Sequence, residues 1–177
     1  ALGYTGDCSV LGTNDNTPGW CLGGSAKSGM DEQAFEETYS IENDGNGNLL
    51  VGNYRTALIK KYNMTTGAYL GSLGYSSTAP QEWSNDATTE AELYGFGNDD
   101  FYYPLGGYSD GTYLYVSDWG NGRVKKISLA TGKLVGWIGG VTTTPTGGPH
   151  SGCVTTNPMS VTPGWCTGAL ANPWYHI

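Results

Sequence analysis

The chain has 177 residues and a formal net charge of −8 at pH 7, and only 14% of its residues are charged. Eight basic residues against sixteen acidic ones argue against a nucleic-acid partner, because binding phosphates needs clustered lysine and arginine. No apolar run reaches the roughly 18 residues of a membrane-spanning helix, so we expect no membrane span. Twenty-nine glycines and thirteen tyrosines favour an all-β fold of short strands joined by tight turns.

The first motif along the chain is a cysteine-bounded loop that recurs near the other end. Cys8 and Cys21 are thirteen positions apart, as are Cys153 and Cys166, and both loops end in Thr-Pro-Gly-Trp-Cys. Four cysteines allow three pairings, and the duplicated loop favours the disulfides Cys8–Cys21 and Cys153–Cys166. A zinc site is the alternative, but its cysteine pairs are usually closer together. Disulfides indicate an oxidising compartment, so we expect an extracellular or cell-surface protein.

Two segments in the middle of the chain are copies of each other. Residues 49–74 align with residues 114–139 at a constant offset of 65 without a gap, and eight of the 26 pairs are identical. Each copy follows a segment led by phenylalanine, Phe35 or Phe101, and turn signals separate its short apolar stretches. Four antiparallel strands per unit at a fixed period of about 65 residues predict the blades of a β-propeller.

The second copy resembles the core of an NHL repeat, whose pattern is aliphatic-Tyr-Val-Ala-Asp, two residues, Asn, one residue, then Arg and an aliphatic residue. The matching positions are Leu114, Tyr115, Val116, Asp118, Asn121, Arg123 and Val124. The resemblance implies a propeller in which Asp118, Asn121 and Arg123 structure a turn, since a carboxylate accepts both turn amides and a guanidinium fork. The first copy departs from the pattern at the corresponding positions, which are Asn53, Thr56 and Leu58. We expect its turn to be held differently.

The repeat divides the chain into five parts. These are residues 1–34, the last strand of a preceding blade with the Cys8–Cys21 loop; 35–75, a first complete blade; 76–100, an insertion; 101–140, a second complete blade; and 141–177, a Thr/Pro loop, the Cys153–Cys166 loop and the first strand of a following blade. Two blades cannot close, because propellers need about four to eight. We therefore expect the missing blades to come from self-association, as a head-to-tail polymer or a ring, or from a longer chain.

Few residues point to chemistry. The two histidines, His150 and His176, lie in dissimilar contexts, and no nucleophile elbow, phosphate loop or histidine-rich metal spacing occurs. We therefore expect no catalytic residue, no metal and no cofactor. The polar stretch 42–48 has oxygen side chains at alternating positions, as a calcium loop does, but it lacks the closing glutamate and fits a hairpin turn better. The acidic stretch 97–100 is expected to be a surface turn.

Several residues are candidates for sugar attachment or sugar binding. Asn63 begins an Asn-x-Thr glycosylation sequon, and Thr142–Thr146 is a Thr/Pro patch that suits O-linked sugars, with a plain extended loop as the alternative. Trp83, in the insertion, and Trp119, in a blade turn, are candidate glycan contacts if their rings are exposed, with structural packing as the alternative. Trp20 and Trp165 stand beside equivalent cysteines, where we expect them to pack against the disulfides.

These patterns predict a non-catalytic, secreted structural protein, a propeller-repeat building block of an extracellular or cell-surface assembly such as a filament or fibril. The alternative is a glycan-binding, lectin-like propeller formed by a ring of two-blade subunits. The third class is a metal-dependent lyase or hydrolase on a propeller, which would be marked by bound metal.

Overall fold

The computed structural model describes residues 17, 19–22, 34–74, 83 and 95–168 of the chain. These residues form two four-stranded antiparallel sheets whose strands follow one another in chain order. Sheet A contains β1 (Thr38–Asn43), β2 (Asn48–Asn53), β3 (Leu58–Asn63) and β4 (Tyr69–Leu73), and sheet B contains β5 (Pro104–Ser109), β6 (Tyr113–Asp118), β7 (Arg123–Ser128) and β8 (Leu134–Gly139). The described residues also include two single-turn 3-10 helices, Trp119–Asn121 and Cys153–Thr155. The predicted all-β class is confirmed.

An aspartate holds the first hairpin turn of each sheet. In sheet A, Asp44 accepts hydrogen bonds from the amides of Asn46 at 2.7 Å and Asn48 at 3.0 Å. In sheet B, Asp110 accepts them from the amides of Thr112 at 2.9 Å and Tyr113 at 2.7 Å. Short acidic side chains bind nearby backbone amides in this way in many turns. The stretch 42–48 is thus the end of β1, a hairpin turn and the first residue of β2.

Each sheet has two faces, which the register between strands defines. Side chains alternate along a strand, and in sheet A Ile59 lies opposite both Gly52 and Leu73. We call this side the front face: it carries Leu50, Ile59 and Leu73 in sheet A and the equivalent Tyr115, Val124 and Ile138 in sheet B. The opposite side is the back face: it carries Leu49, Val51 and Tyr62 in sheet A and Leu114, Val116 and Ile127 in sheet B.

The main hydrophobic core lies between the front face of sheet A and the back face of sheet B. Its buried members are Leu50, Ala57, Ile59, Leu73, Phe101, Leu114, Val116, Ile127 and Leu129. The first strands of the two sheets run close together, and Asn46 Nδ2 donates a hydrogen bond across them to the carbonyl of Gly111 at 3.4 Å. Burying apolar area from both sheets in one core holds them as a pair.

The two sheets form an open pair, not a closed ring, within the described residues. The back face of sheet A and the front face of sheet B therefore point away from the shared core. The strands of both sheets fall inside the predicted segments 35–75 and 101–140. The predicted partial blades at the two ends lie mainly outside the described residues.

Candidate functional site

Asp118, Asn121 and Arg123 form a buried hydrogen-bonded network at the β6–β7 turn. Asp118 Oδ2 accepts hydrogen bonds from Arg123 Nε at 2.8 Å and from Asn121 Nδ2 at 2.9 Å. The other carboxylate oxygen, Oδ1, accepts one from the amide of Tyr102 at 2.6 Å. All three network residues are buried. The turn thus depends on a charge pair that is taken out of water and satisfied on several sides.

The rest of the Arg123 guanidinium binds the segment before β5, where the sequence predicts a surface turn. Its terminal nitrogens donate to the carbonyls of Phe96 at 3.3 Å, Gly97 at 2.6 Å and Asp100 at 2.9 Å. The segment 96–100 therefore binds the buried Arg123 guanidinium through its backbone carbonyls and is only partly exposed. No spacing in the sequence marks it, because backbone carbonyls accept hydrogen bonds whatever residue carries them.

A buried lysine occupies the same position in both sheets. Lys125 Nζ donates to the carbonyl of Asp100 at 2.9 Å and lies 4.1 Å from the centre of the Phe101 ring. Its equivalent, Lys60, donates to the carbonyl of Ala34 and lies over the Phe35 ring. Complete burial lowers the pKa of Lys125 from 10.5 to about 7. The leading phenylalanine of each repeat thus packs against its own lysine, a pairing that no spacing in the sequence marks.

The second lysine of each pair lies on the front face and contacts a tryptophan. Lys61 Nζ is 4.8 Å from the centre of the Trp83 ring. Lys126 Nζ is 3.9 Å from the centre of the Tyr113 ring and 5.7 Å from that of Trp165. One lysine of each pair is fully buried, and the other is half-buried over aromatic rings. Cations over indole faces are attracted by the ring quadrupole.

Two tryptophans bind the same turn position of successive sheets. Trp20 Nε1 donates to the carbonyl of Met64 at 3.0 Å in sheet A. Trp83 Nε1 donates to the carbonyl of Leu129 at 2.9 Å in sheet B, and Leu129 is the repeat equivalent of Met64. Trp83 is half-buried and packs against the core between the sheets, so packing rather than an open platform describes it. Trp20 contacts the Thr66–Gly67 turn.

The loop closed by Cys153–Cys166 lies along the edge strand β8. The disulfide is present, and Trp137 and Cys166 exchange backbone hydrogen bonds of 2.9 and 3.0 Å. Trp165 reaches the front face of sheet B, where it crowds Gly136 and lies 5.8 Å, ring centre to ring centre, from Tyr115. Cys21 is also in a disulfide, but Cys8 lies outside the described residues, so the Cys8–Cys21 pairing stays a prediction.

Several residues at matched positions differ in exposure according to which face meets the other sheet, although Val51 on the back face of sheet A is buried like its counterpart Val116. Phe101 is buried in the core, whereas its counterpart Phe35 on the back face of sheet A is 36% exposed. Leu129 is 4% exposed and its counterpart Met64 is 40% exposed. On the front faces, Leu73 is 1% exposed and its counterpart Ile138 is 38% exposed. The two outward faces thus carry the same kinds of side chain that the core buries between the sheets.

A row of aromatic rings crosses from sheet A to sheet B at the β2–β3 and β6–β7 turns. Tyr54 and Tyr103 are stacked with centres 4.2 Å apart, and Tyr39 lies 5.0 Å from Tyr54. Trp119 extends the row 6.2 Å beyond Tyr103 and is 60% exposed. Of the two candidate glycan contacts, Trp119 is therefore the one that solvent reaches freely.

The other candidate residues have structural contacts of their own. Asn63 Oδ1 accepts hydrogen bonds from the amides of Thr65 and Thr66, both at 2.9 Å, and so holds the β3–β4 turn. In the Thr/Pro patch, Thr144 Oγ1 donates to the carbonyl of Thr156 at 2.9 Å. His150 is exposed and accepts a hydrogen bond from the amide of Gly152, while His176 lies outside the described residues.

No group of three or more His, Cys, Asp or Glu side chains suited to a metal ion occurs among the described residues. Over the same part of the chain, none of the helices has the length and apolar character needed to cross a membrane. The chain matches no protein-family model and no curated protein.

Proposed function

We propose that this protein is a non-catalytic structural building block, whose copies join by packing the front face of sheet B of one copy on the back face of sheet A of the next. The matched exposures carry the proposal. Ile138, Met64 and Phe35 are exposed at positions whose counterparts are buried between the sheets. A contact between two different faces is heterologous, and its repetition produces a filament or a ring.

The same packing supports NHL-type propeller blades as the unit of the assembly. Each sheet is a four-stranded meander, the two copies stack front face to back face, and their first strands lie side by side. Blades of a propeller repeat this relation around an axis. Further copies that pack front face on back face in the same way would continue the row of sheets that sheets A and B begin.

An extracellular or cell-surface place is part of the proposal. The Cys153–Cys166 disulfide supports it, because disulfides persist in oxidising compartments. Asn63, whose sequon stands in the β3–β4 turn, would be accessible to glycosylation there. Intact-mass measurement of the protein secreted from its natural source, before and after deglycosylation, tests both statements.

The test of the assembly proposal introduces an acidic side chain on an outward face. Ile138→Asp should abolish concentration-dependent association in sedimentation velocity and remove polymers from electron micrographs. The matched control is Val154→Asp. Val154 is 55% exposed in the 3-10 helix Cys153–Thr155, so the substitution adds the same charge outside the strands of both sheets. A wild-type protein that stays monomeric at all concentrations contradicts the proposal.

A second candidate function is glycan binding, favoured by the exposure of Trp119 at the end of the aromatic row. Aromatic faces stack on the apolar faces of sugar rings, and polar neighbours bind the hydroxyls. A glycan array probed with wild type and Trp119→Ala tests it. Selective binding that the substitution removes supports a lectin, and absence of any selective binding contradicts it.

A further inference from the structure

Among the described residues, one tryptophan bridges sheets A and B. Trp83 lies against Lys61 on the front face of sheet A, with 4.8 Å between Nζ and the ring centre. Its indole Nε1 donates to the carbonyl of Leu129 in sheet B at 2.9 Å. One side chain therefore binds a lysine of one sheet and a turn carbonyl of the next.

Trp165 has the first half of these contacts and lacks the second. It lies near Lys126, the repeat equivalent of Lys61, on the outward front face of sheet B. Its Nε1 donates no hydrogen bond within the described part of the chain, whereas those of Trp20 and Trp83 both do. The indole is thus placed as Trp83 is, at a face where no further sheet of this chain is described.

Trp20 has the second half and lacks the first. Its Nε1 donates to the carbonyl of Met64, the equivalent of the Leu129 carbonyl, and its amide donates to the carbonyl of Thr66 at 3.1 Å. No lysine lies over its ring among the described residues, and Trp20 is 47% exposed. Trp20 and Trp165 belong to the two loops that share the ending Thr-Pro-Gly-Trp-Cys.

We infer that Trp20 caps the back face of sheet A and gives up the Met64 carbonyl when Trp165 of a second copy docks there. The inference rests on the proposed head-to-tail assembly. In the contact between sheets A and B, one tryptophan, Trp83, binds the turn carbonyl of the second sheet. At a junction between copies, two tryptophans compete for the equivalent Met64 carbonyl: Trp165 of one copy and Trp20 of the other. Trp165 binds Lys126 from its own sheet and Met64 from the next, so it completes the bridge, and Trp20 leaves.

The decisive experiment compares Trp165→Phe with Trp20→Phe, since each keeps an aromatic ring but removes the indole N–H together with the pyrrole part of the ring system. Sedimentation velocity over a concentration series gives the association constant of each variant. Trp165→Phe should weaken association by about tenfold, because a hydrogen bond and part of the ring contact are lost, and Trp20→Phe should strengthen it by a similar factor because the cap is weaker. Circular dichroism and unfolding midpoints at low concentration establish that both variants are folded.

The opposite signs separate this inference from a purely structural role, which would weaken association in both variants. If Trp20→Phe weakens association, or Trp165→Phe leaves it unchanged while Ile138→Asp abolishes it, the tryptophan exchange is wrong and the assembly proposal stands. If neither wild type nor any variant associates, both are wrong.

Discussion

Arg123 and Asp118 form an ion pair in which both side chains are fully buried. Two charges removed from water stabilise a fold only while each keeps its partners. Here the carboxylate has three donors and the guanidinium has three backbone carbonyls besides the carboxylate. The pair therefore affects stability mainly because removing one partner would leave the other buried without its hydrogen bonds or counter-charge.

Asp118→Asn should lower the free energy of unfolding by about 3–5 kcal/mol, because it leaves the Arg123 charge buried without a counter-charge. Urea unfolding followed by tryptophan fluorescence measures this. Asp110→Asn is the control and should cost far less, since Asp110 holds the neighbouring β5–β6 turn from an exposed position. Equal losses in the two variants would contradict the buried-charge argument.

Lys125 makes stability depend on pH. Burial, reinforced by the nearby Arg123 and opposed by Asp118, Asp99 and Asp100, lowers its pKa from 10.5 to about 7 in the folded state. Between these two values the unfolded chain binds a proton that the folded chain does not, so the free energy of unfolding rises with pH in this window. Below pH 7 both states are protonated and the contribution is constant.

The difference in unfolding free energy between wild type and Lys125→Met should therefore grow in favour of wild type from pH 7 to pH 10. Urea unfolding of both proteins at three pH values in this range gives the difference directly. Other titrating groups cancel in the comparison, so a difference that stays constant across the range would rule out the lowered pKa.

At the scale of elements, the last strand of each sheet has the same position in the repeat but a different environment. Leu73 in β4 is buried between the sheets, and Ile138 in β8 is on the outward face. Leu73→Ala should cost about 2–5 kcal/mol of unfolding free energy, because it leaves a cavity in a packed core. Ile138→Ala should cost less than about 1 kcal/mol in dilute protein. Similar losses of unfolding free energy in the two variants would show that Leu73 and Ile138 are equally buried in the folded protein.

The Cys153–Cys166 loop stabilises the edge of sheet B through β8. Replacing both cysteines by serine removes the restriction on a loop of sequence separation 13 and should lower the unfolding free energy by about 3 kcal/mol. Urea unfolding of the variant and of the wild type, both under non-reducing conditions, measures the change. If the midpoint of the global unfolding transition does not change, the loop unfolds separately from the sheets and the prediction is wrong.

For the whole molecule, association should appear as a thermal midpoint that depends on protein concentration. Copies that bind only when folded stabilise the fold, and each tenfold rise in concentration adds up to about 1.4 kcal/mol. For a chain of this size that shifts the midpoint upward by roughly 3–5 °C. Calorimetry of wild type and Ile138→Asp at two concentrations tests this prediction. A shift of the midpoint of equal size in both proteins would contradict association through the front face of sheet B.

Much of the fold could be predicted because the signals are local. The turns at Asp44 and Asp110 and the alternation of apolar residues act within a few residues, and the offset of 65 shows that both copies use them. Part of the site could not be predicted. The carbonyls that bind Arg123 and Lys125, from Phe96, Gly97 and Asp100, have no side-chain signature.

The amino-acid sequence by itself determined the all-β class, the four strands of each repeat and the duplicated cysteine loops, since strand alternation and turn chemistry act over short distances. Only the tertiary structure decided which face of sheet A packs on which face of sheet B, and with it the roles of Trp83, Trp165 and the buried lysines. Both faces of each repeat are apolar enough to be buried, so the pattern along one strand does not choose between them. The choice arises where two distant segments meet, and no local pattern in the chain carries that information.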